Sequence, residues 1–247
     1  ITRAAGFAGS HLVDALLERD DVEIACIDRA PSPAPNLAHC SDTITYVQAD
    51  LLDKEKVKAV LKEFRPTHVF HLAGQAFVPA YEEAWPDAAL QGMRATFELY
   101  EACVEHVPDV RFVLISSSEV YGLTFAEVDA PLDETAPTRP YTIYGATKLA
   151  LEHFAGVVHS QYGVATVILR PFNHIGPRQS PQFVCSSFAK QIAEIEAGVR
   201  EPVIHVGNLS AERDFTDVRD MVRAYVLAAE RCRPDTPYNI CSECSVT

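Results

Sequence analysis

Thr2-Arg3-Ala4-Ala5-Gly6-Phe7-Ala8-Gly9-Ser10-His11-Leu12 reads as a strand end running through a turn of small residues into a helix. Gly6 and Gly9, with Phe7 and Ala8 between them, let backbone approach a ligand closely, and the free amides of a helix N-terminus suit anions. Outward from this turn, apolar residues recur at three- and four-residue steps, as in Val57, Val60, Leu61 and Phe64, and alternate with short apolar runs. The pattern predicts strands at 22–28, 68–73, 111–117, 164–170, 203–206 and 238–241, with a weaker strand before Asp50. Helices are expected near 9–19, 53–64, 87–106, 144–160, 182–197 and 217–231. Short strands that are apolar on both faces, separated by amphipathic helices, require a parallel sheet covered on both sides. The expected fold class is α/β, a doubly wound parallel sheet. Loops at 31–35, 123–140 and 177–182 interrupt the alternation, and such sheets bind ligands in loops at strand C-termini.

The 247 residues carry 21 Lys+Arg against 34 Asp+Glu, a formal net charge of −13 that argues against nucleic acid as a partner. With 48% apolar and 22% charged residues the composition is globular. No apolar run approaches the ~20 residues that span a bilayer, so no membrane partner is expected. Seven irregularly spaced cysteines suit a reducing compartment, and the cytoplasm is the expected location. Cys241 and Cys244 form a lone C-x-x-C without a second pair, and no metal is assigned.

Asp28 ends the second strand nineteen positions after Gly9, close to the spacing at which a carboxylate accepts the adenosine ribose hydroxyls of a dinucleotide. Asp28 disfavours a 2′-phosphate, which favours NAD, while Arg29 beside it leaves NADP open. Asp50-Leu51 is placed to meet the adenine; alternatively Asp50 is an ordinary acid at a helix start before Lys54. The first glycine such turns use is replaced by Arg3, which matters if that position needs positive φ or close packing. Ser116-Ser117-Ser118-Glu119-Val120-Tyr121-Gly122 follows the strongest strand, and Tyr144-Gly145-Ala146-Thr147-Lys148 opens a helix after a proline-bounded loop. Tyr144 and Lys148 share one helix face. An ammonium beside a phenol favours the phenolate and can bring a group of pKa ~10 towards working pH. The alternative is that the two are surface neighbours.

Gly6 and Gly9, Ser117 and Tyr144-x-x-x-Lys148, in this order, resemble the extended short-chain dehydrogenase/reductases, the nucleotide-sugar epimerase and dehydratase group, over essentially the whole chain. The resemblance implies that Tyr144 is the general acid/base and that Lys148 holds the nicotinamide ribose while lowering the phenol pKa. It implies that Ser117 binds the reacting oxygen and that Glu119 falls where related dehydratases place an acid. Leu72-Ala73-Gly74 and Pro171-Phe172 are expected to cover the cofactor. Arg170-Pro171-Phe172-Asn173-His174-Ile175-Gly176-Pro177 and Arg213-Asp214-Phe215-Thr216-Asp217 resemble the branch that reduces the 4-keto group of a GDP-linked 4-keto-6-deoxy sugar with NAD(P)H, giving GDP-D-rhamnose.

By that likeness Ser118, Asn173, Val184, Lys190 and Arg213 line the nucleotide-sugar site. Arg213 suits a diphosphate through its bidentate fork, or else forms a surface salt bridge to Asp217 or Glu212. His71 and His174, near the strand ends, are expected to be hydrogen-bonded structural residues. Two rival readings stay open: a dehydratase acting on GDP-mannose, and a non-catalytic dinucleotide-sensing protein. Residues 1–172 are expected to form the dinucleotide-binding domain, with 214–241 returning to it. The remaining stretches, 173–213 and 242–247, would supply part of a sugar-nucleotide domain. Gly92-Met93-Arg94-Ala95-Thr96 and Glu243 depart from the family pattern, which has glycine at the Ala95 and Glu243 positions. The almost missing first strand and the stop soon after Cys241 suggest a truncated chain, and helices 87–106 and 144–160 are the expected faces of a homodimer.

Overall fold

The computed structural model describes residues 1–247 apart from 75, 76 and 129. Helix α1 (Phe7–Leu17) is followed by β1 (Ala25–Asp28), β2 (Thr45–Gln48), α2 (Lys54–Phe64) and β3 (His68–His71). Next come α3 (Val78–Glu83), α4 (Trp85–His106), β4 (Arg111–Ile115), α5 (Thr124–Glu127), α6 (Ile143–Tyr162) and β5 (Ala165–Pro171). The chain continues through β6 (Asn173–Ile175), α7 (Val184–Glu196), β7 (Arg213–Asp217), α8 (Val218–Arg231), β8 (Pro237–Ile240) and β9 (Ser245–Val246). Strands β1 and β2 pair in parallel, as do β3, β4, β5 and β8 in that order. Residues 1–3 join the two groups: Thr2 bridges Ile27 on one side and His71 on the other, its amide donates to Phe70 O, and the Arg3 amide donates to Ile27 O. The order β2-β1-(residues 1–3)-β3-β4-β5-β8 reverses direction at residues 1–3, the place where open α/β sheets form their ligand crevice.

Alternation along the central strands builds two cores, because successive side chains point to opposite faces. Val113, Val167 and Leu169 pack with α1 and α8, including Leu12, Val13, Met221 and Tyr225. Phe112, Leu114 and Ile168 pack with α2, α4 and α6, including Val57, Leu99, Tyr100 and Leu151. The helices begin where the sequence supplies caps: Asp53 accepts from Lys56 N, Thr142 from Gly145 N and Asp217 from Arg219 N. Helix α6 ends at Gly163 in the left-handed region, the usual glycine stop. A second, smaller sheet pairs β6 with β7 in parallel and β7 with β9 antiparallel, and the chain returns to the main layers through α8.

Several expectations are corrected. The predicted strand at 203–206 does not form: Val203, Ile204 and Val206 are 44–49% exposed. The backbone of His205 pairs both ways with the Gln191 side chain, which takes the place of a neighbouring strand. The strand predicted at 22–28 begins only at Ala25, and α3, α5, β6, β7 and β9 are additional elements, α5 inside the predicted loop 123–140. Arg3 (φ 54°) and Glu243 (φ 61°) occupy the left-handed region, so two positions where the family pattern has glycine do require a glycine-like backbone here.

Candidate active site

The turn into α1 is pinned from several directions. Asp28 accepts from the amides of Ala5 (2.9 Å) and Ala30 (3.0 Å), Asn36 donates to Ala5 O, and the Gly6 amide donates to Arg3 O. A Cβ on Gly9 would lie 2.3 Å from Arg3 O, so helix and turn approach as closely as backbone permits. Helix α1 has no side-chain cap and no acid in its first turn, which leaves its leading amides free for an anion. Asp28, at the end of β1, keeps lone pairs beyond its two amide bonds. Arg29 is exposed and 3.9 Å from Asp50. Asp50 precedes α2 and accepts from Leu52 N, while Asp53 caps the helix and Lys54 pairs with Glu98 and Glu101. Asp50 thus shapes the turn that leads into the helix, as its ordinary reading expects, while the cap itself is Asp53. The Leu51 side chain is buried in the core.

Ser117 and Ser118 follow β4, and Tyr144 and Lys148 rise from the first turns of α6. Tyr144 is buried, edge-on to Tyr81 at 5.4 Å, and its amide donates to Glu82 on α3 (3.1 Å). Lys148 Nζ lies 5.8 Å from the Tyr144 ring centre and donates to Ile115 O at 2.7 Å. The surface-neighbour alternative is excluded, since both side chains belong to the interior of the crevice. Gly74 adjoins this ammonium, 3.9 Å from its ideal Cβ, so the loop of Leu72, Ala73 and Gly74 runs beside Lys148. Thr2 Oγ1 accepts from the Leu72 and Ala73 amides and contacts His71, which also meets Thr96; burial lowers His71 to about 3, so it is neutral. His174 stacks on Phe7 at 5.7 Å and contacts Phe172 O. Pro171 is buried at the end of β5.

The electrostatics differ from the sequence expectation. Burial pushes the Tyr144 phenol up to about 12, opposed by a hydrogen bond from Ser117 and reinforced by Glu119 and Tyr81. Burial, then the positive charge of Arg3, lowers the Lys148 ammonium itself to about 8, with Glu152 opposing. Spacing places an ammonium near a phenol, but desolvation decides both pKa values. Glu119 is raised by burial and opposed by Arg213, which brings β7 to the mouth of the site. Arg213 donates to the Glu212 carbonyl and forms neither surface salt bridge that the sequence allowed; Asp217 is engaged with Arg219.

Asn173 opens β6, exposed. Val184 and Lys190 lie on α7, Lys190 in a separate groove with Arg200 and His205 that Ser117, Tyr144 and Lys148 do not line. Sequence reading missed Tyr81 and Glu82, which pack against Tyr144, and the buried set behind it. There Arg170 Nε and Nη2 donate to Glu152, and Nη1 donates to Tyr121 Oη. The four-residue steps from Tyr144 through Lys148 to Glu152 were the available signal.

The model of the GDP-mannose 4,6 dehydratase family matches residues 1–247. The chain belongs to that family. It is 34% identical over 245 residues to GDP-6-deoxy-D-mannose reductase of Pseudomonas aeruginosa, covering 98% of this chain and 73% of that protein. Among solved structures, Thermus thermophilus UDP-glucose 4-epimerase in complex with NAD matches with a TM-score of 0.84 and 32% identity, covering 100% of this chain and 78% of that one. The structure of RMD from Pseudomonas aeruginosa complexed with NADPH matches with a TM-score of 0.81 and 29% identity, over 99% and 76%. The extended short-chain dehydrogenase/reductase resemblance thus holds at the level of family and fold. Among the described residues no helix is long and apolar enough to cross a membrane.

Proposed function

We propose that the chain reduces the 4-keto group of a GDP-linked 4-keto-6-deoxy sugar with NAD(P)H. The observation that carries this reading is the protonated, buried Tyr144 phenol beside Ser117 at the mouth of an anion-ready crevice, in a chain similar to a GDP-6-deoxy-D-mannose reductase. A dinucleotide fits the residues present: free α1 amides and Gly6–Gly9 suit its diphosphate, Asp28 its ribose hydroxyls, and Lys148 the nicotinamide ribose. Asp50 and the backbone of Leu51, whose side chain faces the core, would meet the adenine, with Leu72, Ala73, Gly74 and Pro171 walling the nicotinamide end. The bound cofactor supplies hydride. Tyr144 donates a proton to the sugar oxygen as negative charge develops there, and Ser117 donates a hydrogen bond to the same atom. A phenol raised to about 12 is held as a donor, the form reduction needs. Arg213 and Asn173, with Ser118, would hold the sugar diphosphate, while Val184 on α7 would serve the nucleotide; Lys190, in its separate groove beside Glu194, is left out of this site.

A second reading rests on Glu119, whose raised pKa and charge felt by Tyr144 suit proton abstraction in a GDP-mannose 4,6-dehydratase. Incubation of the full chain with GDP-mannose separates the two: a dehydratase forms a 4-keto product without added NAD(P)H, whereas the reductase leaves GDP-mannose intact and oxidises NAD(P)H only with the 4-keto sugar. Exposed Trp85 and Leu90 on α4 and Val157 and Tyr162 on α6 support a homodimer through these adjoining helices. Analytical ultracentrifugation giving a monomer would exclude it.

A further inference from the structure

Arg3 combines a strained backbone with a guanidinium that touches no acid, and the proton-transfer residues explain neither. Its φ of 54° is a conformation that disfavours any side chain, at the tightest point of the turn. The side chain doubles back across Gly6: its Cγ and Nε lie 3.3 and 3.5 Å from where a Cβ on residue 6 would stand. Among the described residues the guanidinium has no hydrogen-bond or ion-pair partner; Asp28, held by the Ala5 and Ala30 amides, acts on it through charge and not through contact. Charge on Arg3 is felt by Asp28 and Arg29 on one side and by Tyr144 and Lys148 on the other. Residues 1–3 run between β1, which ends at Asp28, and β3, whose following loop passes beside Lys148, so Arg3 stands between the residues that suit the adenosine ribose and those that suit the nicotinamide ribose.

We propose that Arg3 is a side-chain clamp for the bridging diphosphate of the dinucleotide, a cation added where the turn otherwise offers backbone amides alone. The proposal rests on the reading of this crevice as an NAD(P)H site. A guanidinium presents paired donors in a fixed plane that matches two phosphate oxygens. In the free protein its charge opposes that of Lys148, and the incoming diphosphate relieves this repulsion.

Isothermal titration of the full chain with NADH, NADPH, ADP and adenosine tests this on the wild type, Arg3→Gly and Arg3→Lys. Glycine is at ease at positive φ, so Arg3→Gly is expected to fold, as circular dichroism would verify. The expected result is roughly tenfold to a hundredfold weaker binding of NADH, NADPH and ADP to Arg3→Gly, with a shallower salt dependence. Adenosine binding should stay unchanged and Arg3→Lys should fall between. Equal or tighter NADH binding by Arg3→Gly would show that the guanidinium merely crowds the crevice and would overturn the proposal. A loss confined to NADPH would assign Arg3 to the 2′-phosphate and overturn it equally. Failure of the wild type to bind any dinucleotide would instead remove the cofactor reading, and the clamp with it.

Discussion

Replacing Glu152 by alanine removes the carboxylate that Arg170 holds through Nε at 3.1 and 3.2 Å and through Nη2 at 2.7 Å. Both side chains are 6% exposed, so the pair is shielded from bulk water. Arg170 keeps Tyr121 Oη at 2.9 Å and the Glu134 carbonyl at 3.4 Å, neither of which carries a countercharge. Leaving a buried guanidinium unpaired costs about 3–5 kcal/mol. For a chain of this size that corresponds to a fall in Tm of roughly 6–20 °C. Urea unfolding followed by far-UV circular dichroism measures the loss as a lower midpoint at unchanged slope. The double variant Glu152→Ala, Arg170→Met removes the orphaned charge and is expected to recover most of the loss, since a buried pair exchanged for apolar volume is often neutral or better. A double variant no more stable than Glu152→Ala would refute the reasoning, because packing or the orphaned Ser116 hydroxyl, which donates to Glu152, would then explain the effect rather than unpaired charge.

Stability of Lys148→Met should exceed the wild type at pH 7, where the wild type holds a proton on a buried ammonium that burial disfavours. Because the folded pKa of Lys148, about 8, lies below its unfolded value, the unfolded chain binds more protons above pH 8 and wild-type stability rises with pH. The advantage of the variant therefore shrinks between pH 8 and about 10, as paired urea midpoints would record; an advantage that grows with pH would contradict this. Gly9→Ala places a Cβ 2.3 Å from Arg3 O and 2.8 Å from Ala4 Cα, so it should cost at least about 1–3 kcal/mol in thermal melting and weaken dinucleotide binding together. Arg3→Gly relieves a left-handed residue and should stabilise by about 1 kcal/mol, a rise of a few degrees in Tm by calorimetry.

Periodicity located the layers well where burial is two-sided. Phe112, Val113 and Leu114 are all buried and feed alternate cores, so an unbroken apolar run could only be a central strand. The same reasoning failed at 203–206, where an apolar run has no adjacent strand and hydrogen-bonds a glutamine side chain instead. Helix α3 was hidden because Pro79 reads as a breaker, although proline in the first turn is tolerated. In the site, the four-residue step found Tyr144 and Lys148 but not their burial, and burial reversed the expected direction of the phenol pKa. Tyr81, Glu82 and Arg170 reach the site from distant stretches of chain, which no local spacing reveals. The turn into α1 was legible, and so was its anomaly: a missing glycine at residue 3 flagged the positive φ that the structure contains.

The central claim is that the Tyr144 hydroxyl delivers the proton during ketone reduction. The direct measurement is steady-state oxidation of NAD(P)H by GDP-4-keto-6-deoxy-D-mannose, comparing the wild type with Tyr144→Phe and titrating cofactor into both. The account predicts a fall in kcat of roughly 10²–10⁴-fold with cofactor affinity nearly retained. Turnover by Tyr144→Phe at the wild-type rate would contradict it.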